Sequence, residues 1–165
     1  MLSGEHPNHA WIAANTNPDD VTGTLSEAMR GADVFLGVSA PDVITEADVE
    51  SMAPDSIVFA MANPVPEIDP DIAARHAAVV ATGRSDFANQ INNVLVFPGV
   101  FRGLIDSGVS HVDMDVLLAA ADALADVVRD DERNATYIIP SVFHPDVSTV
   151  VADAVGAAVA AREGA

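Results

Sequence analysis

The sequence predicts an α/β domain: a parallel sheet with flanking helices, then a helical C-terminal segment. Three observations point there. Nearly continuous apolar runs recur at Asp33-Val-Phe-Leu-Gly-Val-Ser39, Ser56-Ile-Val-Phe-Ala-Met-Ala62 and Ala78-Val-Val-Ala-Thr82, the pattern of parallel strands buried on both faces. Helix-opening signatures separate the runs. Beyond Asn92 the apolar residues take helical spacing instead. A chain of 165 residues is one ordinary domain with a sizeable core. We read residues 1–165 as that single domain, with a strand–helix core at about 22–90 and a helical part at about 91–162.

Each element has a local cause. Thr24-Leu-Ser-Glu27 is a capping box, in which hydroxyl and carboxylate satisfy orphan amides. The helix it opens should stop at Gly31, a residue type that tolerates a left-handed cap. The first strand follows. Thr45-Glu-Ala-Asp48 opens a second helix to about Met52, ahead of the second strand. Asp69-Pro70 reads as an N-cap with proline at the first helical position, and that helix ends near His76. The third strand comes next. Strands alternating with helices over short connections make βαβ units. Asn92 to about Asp106 is helical, with a bend or break expected at Pro98-Gly99. Asp113 to Arg129 is amphipathic, with Leu117, Ala121, Leu124 and Val128 on the predicted core face. Tyr137-Ile-Ile-Pro140 reads as a short extended piece, and Val147 to Arg162 as a final helix.

Composition removes several function classes. There is no cysteine, so disulfide scaffolds and cysteine chemistry are excluded. The 25 acidic residues face 7 basic ones, every one an arginine, for a net charge of -18. Such a surface repels phosphates and anionic lipid, so neither nucleic acid nor membrane is an expected partner. Without lysine, this chain supplies no lysine base. Lysine depletion beside scattered carboxylates fits either a very soluble surface or adaptation to high salt, and the second reading accounts for more. No apolar stretch reaches the roughly 18 residues of a membrane span. The N-terminus shows no basic region followed by an apolar one, so no signal peptide is expected and the cytoplasm is the predicted location.

In an open parallel sheet, ligands bind outside the carboxyl ends of the strands. Here those ends are Gly37-Val-Ser-Ala-Pro41, Ala62-Asn-Pro64 and Thr82-Gly-Arg-Ser-Asp86. Asn63 is open to two readings: an Asn-Pro turn, or a neutral amide offering donors and an acceptor to a ligand. Asn92-Asn93 is open to two as well, an N-cap or a pair of amides facing the same crevice. His6-x-x-His9 in a terminal loop is a weak metal signal, and His76, His111 and His144 suit helix ends or surface. Neither G-x-G-x-x-G nor the phosphate loop G-x-x-x-x-G-K-[ST] occurs. A nucleotide-type sheet without its glycine loop looks like half of a dinucleotide fold.

Several ordered stretches carry a resemblance. Thr24-Leu-Ser-Glu-Ala-Met-Arg-Gly-Ala-Asp-Val-Phe-Leu-Gly-Val-Ser-Ala40 resembles part of the NAD(P)-binding domain of malic enzymes, the prokaryotic forms in particular. So do Ile57-Val-Phe-Ala-Met-Ala-Asn-Pro-Val-Pro-Glu-Ile-Asp-Pro70, Val80-Ala-Thr-Gly-Arg-Ser-Asp86 and Tyr137-Ile-Ile-Pro-Ser-Val-Phe143. The run Asn89-Gln-Ile-Asn-Asn-Val-Leu-Val-Phe-Pro-Gly-Val-Phe-Arg-Gly103 is the most specific. The similarity extends from about Asn15 to Val155.

The resemblance implies a partial Rossmann-like sheet and an incomplete NAD(P)-binding domain. It also implies a reaction, the NAD- or NADP-dependent and metal-dependent oxidative decarboxylation of malate to pyruvate. It places Ser39 and Ala40 along the dinucleotide, Asn63 beside nicotinamide and malate, and Asn92 and Asn93 at the malate carboxylate or nicotinamide. No catalytic residue or metal ligand is expected in this chain. The family's proton-transfer tyrosine and lysine, its glycine loop and its Mg²⁺ or Mn²⁺ ligands precede this region. The expected partners are malate or pyruvate and the remainder of a malic enzyme, or a homo-oligomer. The alternative is a catalytically inactive remnant that serves for association.

Overall fold

The computed structural model describes residues 7–163, so His6 of the histidine pair lies outside the described residues. Helix α1 spans Pro7–Asn15. The expected terminal loop is thus a helix, with proline at its first position. His9 therefore sits on a helix. The side chains of α1 from Asn8 to Asn15 are exposed, Trp11 to 65%.

Helix α2, Leu25–Met29, opens on the expected capping box, with Thr24 and Glu27 exchanging hydrogen bonds. Gly31 follows at φ +70, where a left-handed turn favours glycine. Strand β1 is Val34–Gly37. Helix α3, Glu46–Glu50, starts on the second box, Thr45 with Asp48. Strand β2 is Ile57–Ala60. Helix α4, Pro70–Ala73, is capped by Asp69 and carries the proline at its start. Strand β3 is Val79–Thr82. The sheet is three-stranded, parallel throughout, in the order β1-β2-β3, with Val34 opposite Ile57 and Ile57 opposite Val79.

A 3₁₀ turn, Asn93–Leu95, leads into α5, Phe97–Asp106. The chain breaks at Val96, two residues before the expected Pro98-Gly99, and Pro98 then sits within the first turn of α5, where its missing N–H costs nothing. Helix α6 is Met114–Asp126, capped by Asp113, and α7 is Val147–Glu163. Arg162 in the last turn of α7 pairs with that Asp113 cap, joining opposite ends of the two helices. Tyr137-Ile-Ile-Pro140 is not an extended piece. Tyr137 closes a turn by exchanging backbone bonds with Asn134, and the next residues bend away.

Apolar burial falls into two clusters. One packs α2, α3 and α4 on a single sheet face through Met29, Phe35, Val49, Val58, Ala60 and Ala73. The other joins α5, α6 and α7 through Leu104, Val116, Ala120, Val151 and Val155. A fully buried valine contributes about 1.5–3 kcal/mol, so Val58, Val116, Val151 and Val155 anchor both. Gly99 and Gly103 let α5 lie directly on α7. A β-carbon at Gly103 would stand 2.7 Å from the Ala152 carbonyl oxygen and from Val155 Cβ.

Two expectations fail on exposure. β1 is buried on one face only: Phe35 is covered, whereas Val34, Leu36 and Val38 are 53%, 61% and 74% exposed. The helices packed on this sheet cover the Phe35 side, and the other side of β1 stays open, whereas Phe59 on that side of β2 faces a cavity walled by α6. On the predicted α6 face, Leu124 packs into the second cluster and Val128, just past the helix, is buried, but Leu117 and Ala121 are exposed and Val116 and Ala120 take the inward positions instead. The apolar arc of α6 is wider than its contact with α7, so the face expected from periodicity coincides with the buried one only toward the end of the helix.

Candidate functional site

The carboxyl edge of the sheet is built around one buried acid. Glu67 lies in the return segment after β2 and is completely buried. Its Oε1 accepts from the Ser39 amide at 2.8 Å and from the Ser39 hydroxyl at 3.2 Å. Its Oε2 accepts from the Ala62 amide at 2.9 Å. Main-chain bonds complete the lacing: Asp42 donates to the Pro66 carbonyl and Ile44 to that of Glu67, each at 3.2 Å. The carboxylate therefore holds the turn after β1 and the turn after β2 side by side. Burial is the largest single influence on it and pushes its pKa up. The amides of Ser39, Ala62 and Glu67 itself, with the Ser39 hydroxyl, outweigh that and hold it below the ordinary glutamate value. Gly37 makes room for it, since a β-carbon there would lie 2.5 Å from Glu67 Cδ.

Three of the predicted site residues sit on these turns. Ser39 and Ala40 are exposed after β1, and Asn63 is exposed directly after the clamped Ala62, joined to Pro64 by a cis peptide bond. Asn92 and Asn93 arrive from the other side. The Ile91 amide donates to the Thr82 carbonyl at the end of β3, at 2.8 Å. Asn92 then caps the 3₁₀ turn, its Oδ1 accepting from the Val94 amide at 3.0 Å. The capping reading thus holds for this residue, and its amide nitrogen is the part left for a ligand. Asn93 is exposed at the start of the turn.

Both asparagines line an apolar cavity of about 580 Å³, together with Phe59 and Met61 of the β2 region, Leu117 and Leu124 of α6, and Ile139. Ser39, Ala40 and Asn63 do not line it. The five residues therefore form two sets at one sheet edge, with Met61, two residues before Asn63, on the cavity wall. Tyr137, distant in sequence, lines a second cavity shared with Gln90 and Asn92. Among the described residues no three His, Asp or Glu side chains gather to hold a metal ion.

Two residues here escaped sequence reasoning as candidates. Glu67 had a faint signal, an acid inside the apolar run Val65-Pro66-Glu67-Ile68. Asn89 had none. It is buried at φ +54, donates from Nδ2 to the Val80 and Ala135 carbonyls at 2.9 and 2.8 Å, and accepts the Ile138 amide at 2.9 Å. It fixes the segment carrying Asn92 and Asn93 against β3 and the late turn.

A parallel sheet with helices packed on it and small, polar residues at its carboxyl edge defines a Rossmann-like dinucleotide-binding fold. Residues 6–160 match the malic enzyme NAD-binding domain. The chain belongs to the malic enzyme family. It is 55% identical over 151 residues to the NAD-dependent malic enzyme of Geobacillus stearothermophilus, covering 92% of this chain and 32% of that protein. It is 39% identical over 175 residues to the NADP-dependent malic enzyme of Escherichia coli, covering 96% and 23%. The solved malic enzyme of Pyrococcus horikoshii superposes with a TM-score of 0.85 at 42% identity, over 96% of this chain and 36% of that one. The chain thus spans about a third or less of the length of these relatives.

Proposed function

We propose that this chain forms part of the dinucleotide and malate crevice of a malic enzyme. The reaction is the oxidative decarboxylation of malate to pyruvate. The observation that carries the reading is the Glu67-laced sheet edge, which presents Ser39, Ala40 and Asn63 together where Rossmann-like folds take their ligands. Ser39 and Ala40 lie along the dinucleotide. Asn63 and Asn93 offer neutral amides to the nicotinamide and to malate, and the spare Asn92 nitrogen donates to the malate carboxylate. The bound dinucleotide supplies the hydride acceptor. The chain's own residues orient it and the substrate, and the apolar wall of Phe59, Met61 and Leu117 keeps water from the rim.

The described residues gather no set that fits a divalent cation, so no step runs through one here. Relatives named for NAD and for NADP are both similar to this chain, and either dinucleotide fits the reading. The cytoplasm is the proposed location; among the described residues no helix is long and apolar enough to cross a membrane.

The test is a graft. Residues 15–155 replace the matching segment of the Geobacillus enzyme, and malate-dependent reduction of NAD and NADP is measured with Mn²⁺ or Mg²⁺. Activity is expected. Asn93→Ala should lower kcat/KM for malate by the equivalent of about 1.5–3 kcal/mol, the worth of hydrogen bonds to a charged ligand. A folded graft without activity would favour the association reading. Unchanged kcat/KM in Asn93→Ala would remove that residue from the site.

A further inference from the structure

We propose that Glu67 is the positioning residue of this crevice: one buried carboxylate sets the spacing between the ligand-bearing turns after β1 and β2, and fixes the Ser39 hydroxyl as a hydrogen-bond acceptor toward the ligand. The proposal rests on the functional reading above and deepens it. Both oxygens of the carboxylate are engaged, Oε1 by Ser39 and Oε2 by Ala62, so the acid bridges the two turns rather than decorating one. The turns touch the ligand in that reading, whereas the acid, completely buried, does not. The Ser39 proton is committed to Oε1, which leaves the hydroxyl lone pairs to face outward. Such an oxygen takes a ligand N–H or O–H, such as a carboxamide or a sugar hydroxyl, and turns away a ligand carboxylate or phosphate. Malate is thereby steered toward the asparagines. Gly37 belongs to the same device, since any larger residue would occupy the carboxylate's place.

Burial without a charged partner sets the requirement for ionisation. The groups that influence the acid are amides and one hydroxyl, with no charged side chain among them. Glutamine is close in shape but carries a donor where the Ala62 amide also donates. Aspartate keeps the charge but is one methylene shorter.

The experiment follows the backbone amides of the whole 165-residue chain by NMR. In the unaltered chain the Ser39 and Ala62 amide signals should move together on one acid titration curve. The ligand arm uses the graft of residues 15–155 described above, which supplies the glycine loop, and reads its dissociation constant for NAD⁺. Glu67→Gln should abolish the shared titration and weaken NAD⁺ binding by the graft at least tenfold, with Val58 and Val151 signals of the chain in place. Glu67→Asp should recover part of both. Independent titration of Ser39 and Ala62 would overturn the clamp even if Glu67→Gln failed to fold. A shared titration with unweakened NAD⁺ binding by the Glu67→Gln graft would overturn the positioning role. A shared titration beside a folded graft that fails to bind NAD⁺ would sink the functional reading and, with it, the claim on ligands, leaving only the clamp.

Discussion

Single residues hold this sheet edge together, and their contributions are separable by substitution. Gly37→Ala places a methyl where the Glu67 carboxylate sits and should destabilise the fold by about 1–3 kcal/mol, the cost of stranding a hydrogen-bonded buried group. A melting temperature equal to that of the unaltered chain would contradict this. Asn89→Ala removes three bonds linking β3 to the 135–138 turn, with a similar expected loss. Acid should act through the same groups. The carboxyls of Glu67 and Asp48 are both held below their ordinary values. For Asp48 a hydrogen bond from Ser26 is the largest cause, against burial, with Thr45 assisting. A lowered folded pKa means that the stabilisation is complete above the unfolded value, about 4 for these carboxyls, and is lost as pH falls through the folded values. Denaturant midpoints should therefore hold steady from pH 7 to about 5 and drop below about 4. A midpoint that rises in acid would reverse the sign. The partners of Glu67 and Asn89 are not visible at those positions in the sequence. Glu67 meets Ser39 across 28 residues, and Asn89 meets Ile138 across 49.

Elements were easier to read than residues, because their causes are local. Thr24 with Glu27 and Thr45 with Asp48 cap their helices within three residues, and Asp69-Pro70 announces α4 within two. The strands were legible as apolar runs, and their parallel pairing follows from the helices between them. What the runs did not disclose is which face is covered. The alternation at Val34, Leu36 and Val38 becomes exposed only because the packed helices lie opposite. Likewise α6 offers a broad apolar arc, and α7 settled on the Val116–Ala120 part of it. The site was partly legible for the same reason. Asn63 and Asn92 are placed by strand ends and caps, but their relation to each other is set by packing. Two element-scale outcomes check this picture. Thr45→Ala should cost about 1 kcal/mol through loss of the α3 cap. Gly103→Ala should cost about 1–3 kcal/mol, because its methyl meets the α7 backbone at Ala152, which cannot swing aside as a side chain would. Thermal melts report both, and a neutral Gly103→Ala would show that the two helices are not held at the separation described.

At the scale of the whole molecule, charge dominates. With -18 on one domain, the 7 arginines can pair with only a minority of the 25 acids, and the pairs that form are largely exposed. Exposed pairs contribute little, so self-repulsion is the term that salt will change. Screening shortens its range to roughly 3 Å at 1 M salt. The melting temperature should rise between dilute buffer and molar KCl, and a flat response would end the high-salt reading. The chain by itself should not turn over malate, since it lacks lysine, has a single tyrosine that shares a cavity with Asn92 but not Asn93, and gathers no metal site among the described residues. Metal-dependent pyruvate formation by the purified chain would show otherwise. These melts need a suitable optical probe, and the placement of Trp11 decides which. The only indole of the chain stands 65% in water on α1, outside both apolar clusters. Its emission is already that of a solvated ring, so loss of either core will leave the fluorescence spectrum almost unmoved. A flat tryptophan trace is the signature of this fold's layout rather than of exceptional stability, and far-ultraviolet circular dichroism of the helices is the signal that will follow unfolding.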